Sequence, residues 1–292
     1  MTAPPPDERD GCAPRPAVRF DTSGRGRPRN DTVAVEAPLE IRVGAVPVAV
    51  VMRTPGDDID LARGFALTER IVTDPAHLRS VRHCDRVEPG HAPDNVVRIV
   101  LTDDAPFDAD RFRRNMYATS SCGICGKASI DRAMATAPPL PPADVTIPAA
   151  HLWRAFAALR RMQPIFDATG GTHAAALADV AGEIVVVRED VGRHNAVDKV
   201  VGAALRAAWP GPTLLPPVLL VSGRISFEIV QKALAVRIPV VAGISAPTSL
   251  AIDLAEQAGL TLAGFVREET MNVYTHPARC GIDADDDPIR TR

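Results

Sequence analysis

The 292-residue chain has no run of 18 apolar residues, and its opening MTAPPPDERDGCAP has no apolar core. Neither a membrane-spanning helix nor a secretory signal is therefore expected. It also has no basic excess. Lys and Arg number 33 against 36 Asp and Glu, for a net charge of -3. That leaves no general electrostatic footprint for nucleic acid or for an anionic membrane surface. Cysteine is sparse: Cys12, Cys84, Cys122, Cys125 and Cys280. The odd count and irregular spacing argue against a disulfide framework. A cytoplasmic protein with reduced thiols is expected, and in that compartment a close cysteine pair is more often chemical than structural.

A hydrophobic fraction of 46% is enough for a sizeable core, and the length corresponds to about two domains. Residues 1–30, rich in Pro, Gly, Arg and Asp, read as a disordered tail. An N-terminal α+β domain is expected over 31–115. VAVEAPLEIRVGAVPVAVVMRTP alternates as two strands around Val43-Gly44. DDIDLARGFALTERIV has helical spacing, with Asp57 or Asp58 as N-cap. VRHCDRVEP and NVVRIVLTD read as further strands. Residues 116–145 form a loop and linker, with a helix over Lys127–Ala135 and the breaker PPLPPAD. An α/β domain follows over 146–282, and 283–292 is a second tail. IVVV, VLLV and VVAGI are apolar on both faces, and strands alternate with helices. That pattern predicts a mainly parallel sheet with helices on both faces.

The polar loops of this second half are expected on one sheet edge. They are GGTH (170–173), read as preceding a helix, REDVGRHN (188–195), SGRIS (222–226) and SAPTS (245–249). In open α/β sheets, ligands bind beyond the carboxyl ends of strands. Glycines let a ligand approach the backbone, helix N-termini face anions, and arginines grip phosphate. Gly171, Thr172, His173, Arg193, His194 and Arg224 are the candidates, with Asn195, Ser226 and Thr248 beside them. A phosphorylated, polar ligand fits them. The blander reading of each loop alone is a structural turn, with Glu189 and Asp190 paired to Arg188 or Arg193.

The pair in SSCGICGK (120–127), Cys122 and Cys125, admits three chemistries. Structural zinc needs four N or S ligands, and there is no second CxxC. The zinc deaminases carry H-x-E before P-C-x-x-C; here the cysteines come first and the glutamate is missing. A thioredoxin-like dithiol would follow a strand early in a βαβ unit, whereas this pair lies between two domains. The third option is a carrier thiol. Lys127, Arg113 or Arg114 would lower its pKa, and the flanking serines and glycines would let it move. A persulfide is one of the reversible thiol caps.

Six stretches carry a resemblance: ATSSCGICGK (118–127), GGTHAAAL (170–177), REDVGRHNAVDKVVGAAL (188–205), SGRISFEIVQKA (222–233), SAPTSLAIDLA (245–255) and FVREETMNVYTHP (265–277). Together they resemble the formate dehydrogenase accessory sulfurtransferase family, FdhD, from about residue 35 to 280. The resemblance implies that sulfane sulfur passes from a cysteine desulfurase to Cys122 as a persulfide, with Cys125 matching the second cysteine. The sulfur then goes to the molybdenum or tungsten of the bis-molybdopterin guanine dinucleotide cofactor, needed by formate dehydrogenase. It also implies a cytidine deaminase-like C-terminal domain without zinc, a homodimer, and a cofactor contact at Phe265, Val266, Arg267, Glu268, Glu269 and Thr270. Arg70 departs from the family, where a small residue is more usual. Two rivals are a cofactor-holding chaperone without sulfur chemistry and a dithiol oxidoreductase.

Overall fold

Side-chain alternation builds the first sheet of the computed structural model, which describes residues 11–84, 93–109, 139–140, 145–208 and 215–281. Strand β3 (Ala37–Val43) buries Leu39, Ile41 and Val43 and turns at Gly44 (φ 59°) into β4 (Val46–Arg53). Together with β5 (Leu78–His83) and β6 (Val96–Leu101) they form a four-stranded sheet ordered β4-β3-β6-β5, with β3 and β6 parallel. Helix α1 (Asp58–Thr68) follows β4. Asp57 holds the N-cap position but makes no capping bond, since its backbone is left-handed at φ 56°. Its neighbour is engaged instead: the Arg53 fork donates to both Asp58 carboxylate oxygens at 2.9 Å, in a buried site.

The expected disordered tail is corrected from Gly11 onward. Strands β1 (Cys12–Phe20) and β2 (Gly26–Ala34) pair antiparallel as a separate two-stranded ribbon. Composition hid it, because a ribbon held by its own ladder needs little burial and so shows little apolar periodicity.

The second half holds α2 (Ala149–Arg160), α3 (Pro164–Thr169), β7 (His173–Ala178), β8 (Ile184–Asp190) and α4 (Arg193–Ala208). It continues with β9 (Val218–Val221), α5 (Phe227–Ala235), β10 (Val240–Gly243), α6 (Ser249–Ala258), β11 (Thr261–Gly264) and β12 (Asn272–Thr275). Six strands form one sheet, ordered β12-β11-β10-β9-β7-β8. The mainly parallel expectation does not hold. β9, β10 and β11 run parallel, but β7, β8 and β12 join antiparallel, so the sheet is mixed. The segment after GGTH is strand β7, not a helix. Alanine favours helix intrinsically, but β7 lies between β8 and β9 and both ladders hold it extended.

Helices do lie on both faces. Ala174, Ala176 and Ala178 face α2 through Leu152, Ala155, Phe156 and Leu159. Ala175 and Leu177 face the cluster of α4, α5 and α6. That cluster also takes in Leu39, Ile41, Leu61 and Ile99, so one apolar core runs from the first sheet to the second. α1 and α4 meet at two glycines. A Cβ on Gly64 would overlap the Asp198 carbonyl, and one on Gly202 would overlap that of Asp60. Only glycine lets the two backbones come so close.

Candidate functional site

Register decides which loops share an edge. His173 pairs with Asp190, Ala175 with Val221, and Gly264 with Asn272. The start of β7, the ends of β8, β9, β10 and β11, and the start of β12 therefore lie along one side of the sheet. REDVGRHN, SGRIS, SAPTS and FVREET all open there, as does GGTH, which reaches that edge as the entry to a strand.

Three of these loops touch. A Cβ on Gly223 would sit 3.3 Å from His173 Nδ1 and 3.5 Å from Arg193 Cβ, so the turn after β9 packs between the start of β7 and the start of α4. The ring of His173 is half-buried, and its pKa is lowered by burial and then by the Arg193 charge, with Arg224 adding to the effect. Arg224 is exposed. The Nε of Arg193 is buried and has no hydrogen-bond partner among the described residues. His194 faces Ser226 Oγ at 3.4 Å. Burial, then Lys232 and Arg193, lower it to about 4. Both imidazoles are therefore neutral near pH 7, and the positive charge belongs to the arginines.

Other candidates turn inward. Thr172 is buried and donates its hydroxyl to Glu189 at 2.9 Å. Glu189 also accepts from the Ile165 and Phe166 amides at 2.9 and 2.8 Å, at the start of α3. Gly171 is exposed and donates its amide to Thr169 Oγ1 at 3.0 Å. Asp190 and Asn195 belong to a buried network that the sequence reading missed. Lys199 Nζ meets Asp190 Oδ2 at 2.8 Å and the Thr54 carbonyl at 2.8 Å. Asp190 also accepts from the amides of Thr54 and Gly192 and from Asn195 Nδ2. Arg188 pairs instead with Asp57 and Asp60. A second network joins Lys232 to both Asp198 oxygens and to Glu69, each at 2.9 Å, with Thr68 Oγ1 donating to Asp198 at 2.6 Å. Burial raises the Asp198 carboxyl to about 6 against the pull of Lys232. Burial would lower Lys232, but Asp198 and Glu69 outweigh it and the ammonium is raised. The signal was present in the sequence: Asn195, Asp198, Lys199 and Gly202 recur at the spacing of a buried helix face.

In the last loop, Phe265 is exposed with φ 53°. Its amide donates to the Ser245 carbonyl at 3.3 Å, and Val266 is buried in the core beneath α2. Arg267 donates to the Ile244 carbonyl at 2.6 Å. Glu268, Glu269 and Thr270 are exposed, and the Thr270 carbonyl accepts from the Arg267 amide at 2.8 Å. Cys122, Cys125 and the helix expected after them lie outside the described residues. Among the described residues no helix is long and apolar enough to cross a membrane.

The fold and this edge define a mixed α/β protein whose second sheet gathers polar, arginine-bearing loops along one side. The profile of the FdhD/NarQ family matches residues 34–281, and the chain belongs to that family. It is 48% identical to the sulfur carrier protein FdhD of Mycolicibacterium paratuberculosis, over 91% of this chain and 98% of that one. It is 49% identical to the protein of the same name from Nocardia farcinica, over 90% and 92%. A crystal structure described as that of a formate dehydrogenase accessory protein from Desulfotalea psychrophila superposes with a TM-score of 0.72. It is 24% identical and spans 92% of this chain and 98% of that chain, so it supports the fold alone.

Proposed function

We propose that this protein is a sulfur carrier in formate dehydrogenase maturation. The observation that carries the reading is the 48% identity to a protein named for that role, over nearly the full length of both chains. In this reading a cysteine desulfurase presents a persulfide, and the Cys122 thiolate attacks its terminal sulfur. A new S–S bond forms at Cys122, the old one breaks, and the desulfurase cysteine leaves as a thiolate. Cys125 assists by thiol exchange. The substrate that receives the sulfur is the bis-molybdopterin guanine dinucleotide cofactor, which supplies the metal centre.

The polar edge suits the nucleotide arms of such a substrate. The Arg193 Nε donor is buried without a partner among the described residues, and a buried donor without an acceptor is unfavourable unless a ligand satisfies it. Arg224 adds an exposed guanidinium. The neutral rings of His173 and His194 offer hydrogen bonds and no further charge. The first turns of α5 and α6 open on the same edge, and neither Ser226 nor Thr248 caps its helix with a side-chain bond, which leaves amides for an anion. Phe265–Thr270 is the family's cofactor segment and borders this edge.

Formate dehydrogenase activity in cells tests the role. Cys122→Ala abolishes it if the protein carries sulfur; unchanged activity would mean a cofactor-holding chaperone. Calorimetric titration with GDP tests the edge. Arg193→Ala and Arg224→Ala are each expected to weaken binding about tenfold, roughly one charge-assisted contact, and unchanged affinity in both would remove them from the site.

A further inference from the structure

Register in the first sheet sets three arginines in one row. Arg42 of β3 pairs with Arg98 of β6, and Arg98 pairs in turn with Arg82 of β5. Residues paired across neighbouring strands share a face, with Cβ atoms about 5 Å apart. This face is the outer one, because Leu39, Ile41, Val97 and Ile99 turn the other to the core. Arg42 is answered on its own strand, where its Nε and Nη2 donate to Glu40 at 2.7 and 3.2 Å. Arg98 and Arg82 have no acidic partner among the described residues. The Nε of Arg98 is buried and has no hydrogen-bond partner among them either. Arg82 is exposed, and so is Ser80, which lies two residues back on the same face of β5, opposite Val100. Like charges directly opposite on a sheet are unfavourable, and so is a buried donor without an acceptor. One anion between the two guanidiniums would relieve both.

We infer that Arg98 and Arg82 form a site for a phosphoryl group on the first sheet, separate from the polar edge of the second. A carboxylate carries one charge and two oxygens, and a single arginine fork already takes both. It would leave the second arginine unanswered. A phosphoryl group carries nearly two charges at neutral pH and three acceptor oxygens. It can therefore accept from both guanidiniums at once and cancel both charges. The Ser80 hydroxyl stands beside them as a neutral donor. The row is closed on the β3 side by Glu40, whose carboxylate is held by Arg42 and repels a second anion. It is open on the β5 side, where Arg82 and Ser80 reach solvent. The ligand enters there, and the half-buried Arg98 forms the inner wall.

Thermal unfolding of the full chain in chloride and in inorganic phosphate, at matched ionic strength, tests this. Neither a persulfide nor the molybdenum cofactor enters the assay, so the sulfur-carrier reading stands or falls separately. In chloride, Arg82→Gln is expected to melt at or above the wild type, because it removes one of two opposed charges. In phosphate the order is expected to reverse. A ligand that binds only the folded chain raises its melting temperature, and the variant has lost half the site. Calorimetric titration with phosphate is expected to show binding at least about tenfold weaker in Arg82→Gln. Arg193→Ala with Arg224→Ala, which alters only the polar edge, is expected to keep the gain in phosphate. Glycerol 3-phosphate separates the two sources of the group. Binding as tight as that of phosphate assigns the site to a phosphate ester, and binding of inorganic phosphate alone assigns it to the free ion. The proposal is overturned if phosphate stabilises the wild type no more than chloride does, if Arg82→Gln keeps the full gain, or if the polar-edge variant loses it. Poly(glutamate) binding to the wild type where phosphate does not bind would also overturn it, and would give this face to an acidic protein.

Discussion

At the scale of single residues, the buried charges separate fold from function. The Lys199–Asp190 pair lies between β8, α4 and the Thr54 turn, so it ties the two sheets together. Removing one partner strands the other charge away from water. Lys199→Met is expected to destabilise the protein by about 3–5 kcal/mol, read as a fall in the urea midpoint at unchanged slope. An unchanged midpoint would show that the pair holds nothing. His194 behaves differently. Its folded value of about 4 lies below the ordinary 6.5, so between those limits the unfolded chain binds more protons. Its contribution to stability is whole above pH 6.5 and is lost as the pH falls toward 4. The raised Asp198 carboxyl works in the opposite sense over part of that range, but it is common to wild type and variant. His194→Gln is therefore expected to flatten the fall in melting temperature between pH 7 and pH 5. An equally steep fall in the variant would place the acid sensitivity elsewhere.

At the scale of elements, backbone geometry explains residues that side-chain chemistry does not. Gly64→Ala or Gly202→Ala drives a methyl group into the facing helix backbone, which has no rotamer to yield. Either is expected to cost about 3 kcal/mol or more. Gly44→Ala meets no neighbour and bears only the left-handed backbone penalty, about 1 kcal/mol. Arg70 just past α1 has φ 54°, and the Ile71 amide closes back on Ala66 at 2.8 Å. This is the left-handed end of a helix, where glycine is at ease. Its side chain is not what the position asks for, and Arg70→Gly is expected to raise stability by about 1 kcal/mol in the same denaturation assay. These elements also show what the sequence could disclose. β3, β4 and α1 were legible because one face of each is buried, so apolar residues recur at the matching period. β7 was not. HAAALA reads as helix in local propensity, and only its two ladder neighbours make it a strand. The β1–β2 ribbon was invisible for the converse reason, since it buries almost nothing. The convergence of the polar loops was readable from strand–helix alternation. The inward turn of Thr172 and Asp190 was not, because a polar side chain near a ligand edge looks the same in sequence whether it faces ligand or core.

At the scale of the whole molecule, one core joins two sheets beside a polar edge. The proposed function gives the sulfur chemistry to Cys122 and the binding of its substrate to the polar edge. The claim rests on Cys122. Mass spectrometry of the peptide spanning 120–127, after incubation with a cysteine desulfurase and cysteine, tests it most directly. The account predicts a gain of about 32 Da, one sulfur atom, removed by a reducing thiol and missing in Cys122→Ala. A peptide of unchanged mass in the wild type, with the desulfurase shown to be active, would contradict it.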